Sequence, residues 1–237
     1  MILAIDTSTS VGGVALIDGD KLIASRILNV VKTHSERLMN AVHDTMSEAD
    51  LNLKRDVHAI VCGIGPGSFT GVRIAVSAAK SMAYALNLPI IGVSTLDALS
   101  YAIPFKGKVV SMIDARHERV YSAEYVECGN YFDLPNRVSD FTLDSVENVV
   151  KKAYEICEDV CFVGDGACTY ARLIEKLSRF QARFLPPQIS VVDPVKIALI
   201  GKLKLENGLF DDAASLVPMY LRESEPVIKM NEVTSSK

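Results

Sequence analysis

The chain reads as an α/β protein built from two similar halves, each of a βββαβαβα type. Three observations predict this. Ala59 to Ile64 is an apolar run, followed by glycines at 63, 65, 67 and 71, then an alanine-rich stretch without a breaker to Leu86. That order is a buried strand, a tight turn and a helix. The chain opens with an apolar strand, Ile2 to Asp6, and a hairpin. The same theme returns at Lys108 to Asp114, which points to a duplication.

In chain order, Gly12 to Asp18 and Lys21 to Leu28 form the opening hairpin around Gly19-Asp20. Thr33-His34-Ser35-Glu36 has the form of a capping box. The helix it starts runs to about Ala49, with Leu38, Val42 and Met46 on one face. After the glycine turn, Ser68 or Thr70 caps the next helix. Gly71, Ala75, Ala78 and Met82 share one face of it, opposite a polar stripe of Arg73, Ser77, Lys80 and Tyr84. The wide small-residue arc is either buried on two sides or packs on the sheet and offers a docking surface. Pro89 to Val93 is a strand, and Ser94 caps a helix to about Tyr101.

Pro104-Phe105-Lys106-Gly107 divides the chain into residues 1–103 and 104–222, with a polar tail at 223–237. In the second half Arg119 to Glu127 returns beside the Lys108 strand, with a third strand around Tyr131. Leu143 to Cys157 is helical, and Val160 to Val163 a strand. Gly164-Asp165-Gly166-Ala167 then opens a helix to about Leu177. Pro186-Pro187 and Asp193-Pro194 bracket a loop and an edge strand, and Val195 to Asn207 is a helix stopped by Gly208.

The glycine turn Gly65, Gly67, Ser68, Thr70, Gly71 admits two readings. Bare N–H groups at a helix start favour an anion. Equally, glycines permit positive φ and close backbone approach. No Gly-Lys-Ser/Thr ending makes it a P-loop. Asp6 is either a phosphate or metal partner or a turn cap. Asp114, with Arg116 and His117, makes a polar site or a solvated turn. His34 and His43 stand nine apart, and Cys157 and Cys161 lack a second pair, so no metal site is expected.

Apolar residues make up 49% of the 237, and the net charge of −4 gives no basic field for nucleic acid. No apolar run approaches ~18 residues, so no membrane span is expected. Five cysteines without framework spacing fit a reducing cytoplasm.

Met1 to Ser8, Gly65-Pro66-Gly67-Ser68-Phe69-Thr70-Gly71-Val72-Arg73, Gly92 to Leu96, Ile113-Asp114-Ala115-Arg116 and Pro218-Met219-Tyr220-Leu221-Arg222 resemble the TsaB (YeaZ) family. These are tRNA threonylcarbamoyladenosine biosynthesis proteins. The likeness covers most of the chain, is weakest between about Cys128 and Pro187, and departs where Ala75 and Ser81 replace glycine.

The resemblance implies an actin-like ATPase (RNase H-like) fold. It implies a non-catalytic scaffold that pairs with TsaD, with the ATPase TsaE as further partner, to threonylcarbamoylate the adenosine beside the tRNA anticodon. The helices from His34 and from Ser68 would form the partner face through Leu38, Val42, Met46, Gly71, Ala75, Ala78 and Met82, and self-pair when alone. TsaD carries a metal-binding His-x-x-x-His where this chain has Ser94-Thr95-Leu96-Asp97-Ala98-Leu99. Asp6, Asp114, Gly164 and Gly166 would be a vestigial nucleotide site, with weak binding and no resident cofactor. An ATP-dependent phosphotransferase of the same superfamily is the alternative. A glycoprotease is excluded by the absence of HExxH and Gly-x-Ser-x-Gly.

Overall fold

The computed structural model describes residues 1–29 and 34–221. The first half runs β1 (Ile2–Asp6), β2 (Val11–Asp18), β3 (Lys21–Asn29), α1 (His34–Glu48), α2 (Leu53–Asp56), β4 (Ala59–Gly63), α3 (Phe69–Leu86), β5 (Ile90–Val93) and α4 (Thr95–Ser100). The second runs β6 (Lys108–Asp114), β7 (Arg119–Val126), β8 (Asn136–Arg137), β9 (Thr142–Ser145), α5 (Val146–Ala153), β10 (Val160–Val163), α6 (Asp165–Thr169), α7 (Ala171–Leu177), β11 (Arg183–Phe184) and α8 (Pro194–Glu206).

The duplication is plain in the sheets. The first has the order β3-β2-β1-β4-β5, and the second β11-β10-β6-β7-β8, with β9 also on β7. In each, an antiparallel hairpin joins parallel strands: β1 pairs β2 antiparallel and β4 parallel, as β6 pairs β7 and β10.

The strands on the inner side are apolar on both faces because both faces are covered. One face of the first sheet packs Leu3, Ile5 and Leu16 against Leu38, Val42, Val72 and Val76 of α1 and α3. Its other face packs Ala4, Ile17 and Val61 with Leu96 of α4 and Ile197 and Ile200 of α8. That layer continues into Val109 and Tyr125 of the second sheet. The outer face of the second sheet packs Val110, Met112 and Phe162 on Val146, Val150 and Ile174 of α5 and α7.

The first sheet's last strand ends at Val93 and the second sheet begins at Lys108, but residues 194–221 do not follow that division. α8 lies on the first sheet so closely that a Cβ at Gly201 would stand 2.4 Å from Val61 Cγ2. Beyond it, Asp211 bridges Ile90, and the Met219 N–H donates to the Ile64 carbonyl at 2.7 Å.

Several expectations are corrected. The segment around Tyr131 is not a strand; its place is taken by β8 and β9. Leu143 to Ser145 is extended on β7, and Ser145 then caps α5, which stops at Ala153 rather than Cys157. The edge strand β11 precedes the prolines instead of following them. The 165–177 helix breaks in two at Tyr170. The one-turn α2, capped by Asn52, was not expected. Thr33, the side chains of His34 and Glu36, Arg222 and the 223–237 tail lie outside the described residues.

Candidate functional site

The turns after β1 and β4 close on each other. The Ser8 N–H and Oγ–H donate to Asp6 Oδ2 at 3.2 and 3.0 Å, and Thr95 Oγ1 donates to Ser8 Oγ at 3.1 Å. The Ser68 N–H donates to the Ser8 carbonyl at 2.6 Å, and Thr7 Oγ1 to the Gly71 carbonyl at 2.6 Å. Ser68 caps α3 by accepting the Gly71 N–H at 3.3 Å.

This contact needs the glycines. A Cβ on Gly67 would lie 2.2 Å from the Ser8 carbonyl oxygen, and one on Gly71 1.9 Å from that of Thr7. Gly65 supplies a φ of +92°, but Gly67 is not in the left-handed region, so it is glycine for space. The Ser68 and Gly71 amides that an anion would use are given to the chain itself.

Asp6 is fully buried and turned in as a cap. Its Oδ1 has no hydrogen-bond partner among the described residues and lies where a Gly63 side chain would sit. Burial pushes its carboxyl up to about 6, against the lowering effect of the Ser8 hydrogen bonds.

Between the halves lies a cleft of about 830 Å³. Ser8, Ser10, Gly67 and Thr70 line one wall, Asp114, Arg116 and Asp165 the other, and Tyr220 the rim. Asp114 Oδ1 accepts from Tyr170 Oη at 2.9 Å and from the Arg116 N–H at 2.8 Å. The Asp114 N–H donates to Asp165 Oδ1 at 3.1 Å, and burial raises the Asp165 carboxyl. Arg116, His117 and Glu118 all take left-handed φ, at +65°, +54° and +55°.

Gly164 and Gly166 sit behind this wall. A Cβ on Gly164 would meet the Met112 carbonyl oxygen at 2.1 Å, and one on Gly166 the Asp114 nitrogen at 3.1 Å. Of the four residues grouped as a nucleotide site, the structure thus brings only Asp114 to the cleft. Sequence reasoning passed over Tyr170 and Tyr220. Among the described residues no three His, Cys, Asp or Glu side chains gather to hold a metal ion.

The helix face expected to meet a partner is turned differently from the expectation. α3 turns Val72, Val76, Ala79 and Ala83 to the sheet and buries Ala75 beside them. Gly71, Ala75, Val42 and Met46, expected on the partner face, are therefore interior; Ala75 is 0% exposed. The surface between α1 and α3 is instead a groove of about 640 Å³. Leu38 and Met82 floor it while nearly closed off, and Ala78 is half-buried in its wall. Met39 and Phe69 stand at its edge, 45% and 38% exposed. The reason is rotational: with alanines on both sides of the arc, the larger Val72 and Val76 decide which side meets the sheet.

The "tRNA threonylcarbamoyladenosine biosynthesis protein TsaB" of Bacillus subtilis is 33% identical to this chain over 98% of each. The chain belongs to the TsaB family. Haemophilus influenzae TsaB is 29% identical over 100% of this chain and 96% of its own. The family profile described as "TsaD: tRNA N6-adenosine threonylcarbamoyltransferase" matches residues 22–229. YeaZ from Pseudomonas aeruginosa superposes with a TM-score of 0.76 at 27% identity, over 93% of this chain and 99% of that one. The ethanolamine utilization protein EutJ from Carboxydothermus hydrogenoformans, at a TM-score of 0.50 and 14% identity over 84% of this chain and 89% of its own, shares the fold alone. The expected actin-like fold, two sheets of the same plan, is thus the fold of this chain. No helix among the described residues is long and apolar enough to cross a membrane.

Proposed function

We propose that this TsaB-family chain is the non-catalytic scaffold subunit that pairs with TsaD, with TsaE as further partner, in threonylcarbamoylating the adenosine next to the tRNA anticodon. One observation carries the reading. The turn after β1, which holds phosphate in nucleotide-using relatives, is here closed by the backbone of the glycine turn, the Ser68 N–H donating to the Ser8 carbonyl, while an apolar groove stays open outside. We place this work in the cytoplasm, in keeping with five free thiols.

The test is reconstitution. The chain alone should neither hydrolyse ATP nor modify tRNA, and adding it to TsaD and TsaE should restore modification. Ala78→Glu, in the groove wall, should leave folding intact and abolish the TsaD complex, because docking would bury an unpaired carboxylate. Ala75→Glu should instead unfold the chain, since its site is interior. A folded Ala78→Glu chain that still binds TsaD places the docking face elsewhere.

The phosphotransferase alternative keeps one favourable observation, the cleft with Asp114 and Asp165 on its wall. Metal-dependent ATP turnover by the chain alone, abolished by Asp114→Asn, would establish it and remove the scaffold reading.

A further inference from the structure

Arg73 stands at the end of the α1–α3 groove, held from two sides. Its guanidinium carbon lies 3.8 Å from the centroid of the Phe69 ring and 5.6 Å from that of Tyr220. Its Nε donates to Tyr220 Oη at 2.7 Å, and the two rings pack 5.1 Å apart. Tyr220 is held there by its own segment: Lys80 Nζ donates to the carbonyls of Ala214 and Leu216 at 3.1 and 2.8 Å, and the Met219 N–H to Ile64 O at 2.7 Å.

Nε is thus satisfied and the plane is fixed, while the two terminal amino groups have no acceptor and no ion pair among the described residues. Among the described lining residues Arg73 is also the only charged one; the others are apolar or hydroxyl-bearing. A guanidinium presents its donors as a planar fork that fits a carboxylate. Fixing it in advance lowers the ordering cost of binding.

Resting on the reading of the groove as a docking surface, we infer that Arg73 is its charge-reading anchor. The occupant is a helix of a partner protein that lays aliphatic side chains between α1 and α3 and gives one Asp or Glu carboxylate to the Arg73 amino groups. Tyr220 is the positioning residue. A helix suits the space because a ridge of side chains packs between two neighbouring helices. A second copy of this chain meets the demand poorly. Two-fold contact sets the same lining residues against each other, which brings a second Arg73 and no carboxylate from the described lining.

The experiment measures TsaD binding by the full chain at low and high salt. Arg73→Gln should weaken binding about tenfold at low salt and flatten its salt dependence. Arg73→Lys keeps the charge but not the fork, and should stay weaker than wild type. Tyr220→Phe keeps the ring and loses the hydrogen bond, for about a threefold loss at unchanged melting temperature. If Arg73→Gln fails to fold, Arg73→Lys decides, and wild-type affinity in it overturns the inference. Arg73→Gln binding as wild type with the same salt slope, while Ala78→Glu loses binding, overturns the charge reading and leaves the scaffold reading standing. A wild-type chain that does not bind TsaD overturns both. Loss of a homodimer in Arg73→Gln, with TsaD binding kept, reassigns the groove to a second copy.

Discussion

The two halves carry the same strand-turn plan, yet their turns have opposite fates. β1 ends in Asp6 and β6 in Asp114. Asp6 points inward, caps Ser8 and leaves Oδ1 without a partner among the described residues. Asp114 is half-buried on the cleft wall and accepts from Tyr170 and Arg116. In the first half the following turn is locked on the glycine turn of β4. In the second the turn after Asp114 stands out in an exposed left-handed run, held by the Tyr170 side chain, by the Arg116 N–H on Asp114 and by the Val146 N–H on the Glu118 carbonyl. The difference teaches that one duplicated plan can be spent on rigidity in one copy and left open in the other. What decides is whether the facing turn is backbone without Cβ atoms or a side chain reaching across.

The largest expected effect breaks the locked contact. Gly71→Ala places a Cβ 1.9 Å from the Thr7 carbonyl oxygen, and backbone must move to admit it. We expect a loss of about 3 kcal/mol in denaturant unfolding. Gly166→Ala in the other half meets its neighbours at 3.1 Å and should cost about 1 kcal/mol. Equal losses would mean that the two turns are equally locked.

Much of this fold is legible in the sequence. Val160 to Val163 is found residue for residue because four apolar residues stand between Asp159 and Gly164, and a short buried strand has no other local reading. β9 is not legible. Thr142-Leu143-Asp144-Ser145 has no strand pattern of its own and is extended because it pairs with β7, some twenty residues earlier. At the site, glycines and aspartates at strand ends mark the turns. Tyr170 reaches Asp114 across 56 positions and Tyr220 reaches Arg73 across 147, and no spacing rule spans such gaps. The inner side of α3 is not legible either, because an arc of alanines leaves a helix's rotation undecided.

The next effect is a pH dependence confined to the first half. Burial lifts the Asp6 carboxyl to about 6 in the fold, above its unfolded value. The protonated acid is the form the interior favours. Its stabilising contribution is therefore complete below about pH 4 and is lost as pH rises through about 6. Above that the ionised carboxylate leaves the fold weaker by about 1–3 kcal/mol. Asp6→Asn should remove this slope, and unfolding midpoints measured from acid to neutral pH would show it. An unchanged slope would place the titration on another buried acid such as Asp165, whose carboxyl burial also raises, and so in the second half.

The smallest effect concerns the open turn. Tyr170 Oη donates to Asp114 Oδ1 at 2.9 Å and accepts the Glu118 N–H at 3.2 Å, so it ties both ends of the left-handed run. Tyr170→Phe removes both bonds and keeps the ring. Two exposed or half-exposed hydrogen bonds are worth about 1 kcal/mol each at most. Part of that is offset, because the freed Arg116, His117 and Glu118 can leave a conformation that non-glycine residues occupy only under strain. The expected net loss is below about 1 kcal/mol, with faster amide exchange at Glu118 and no change in the Asp6 titration. Exchange should rise locally because the backbone group loses its acceptor while the sheet behind it does not move. A loss as large as that of Gly71→Ala would show the second turn to be as integral as the first, and the contrast between the halves would fail.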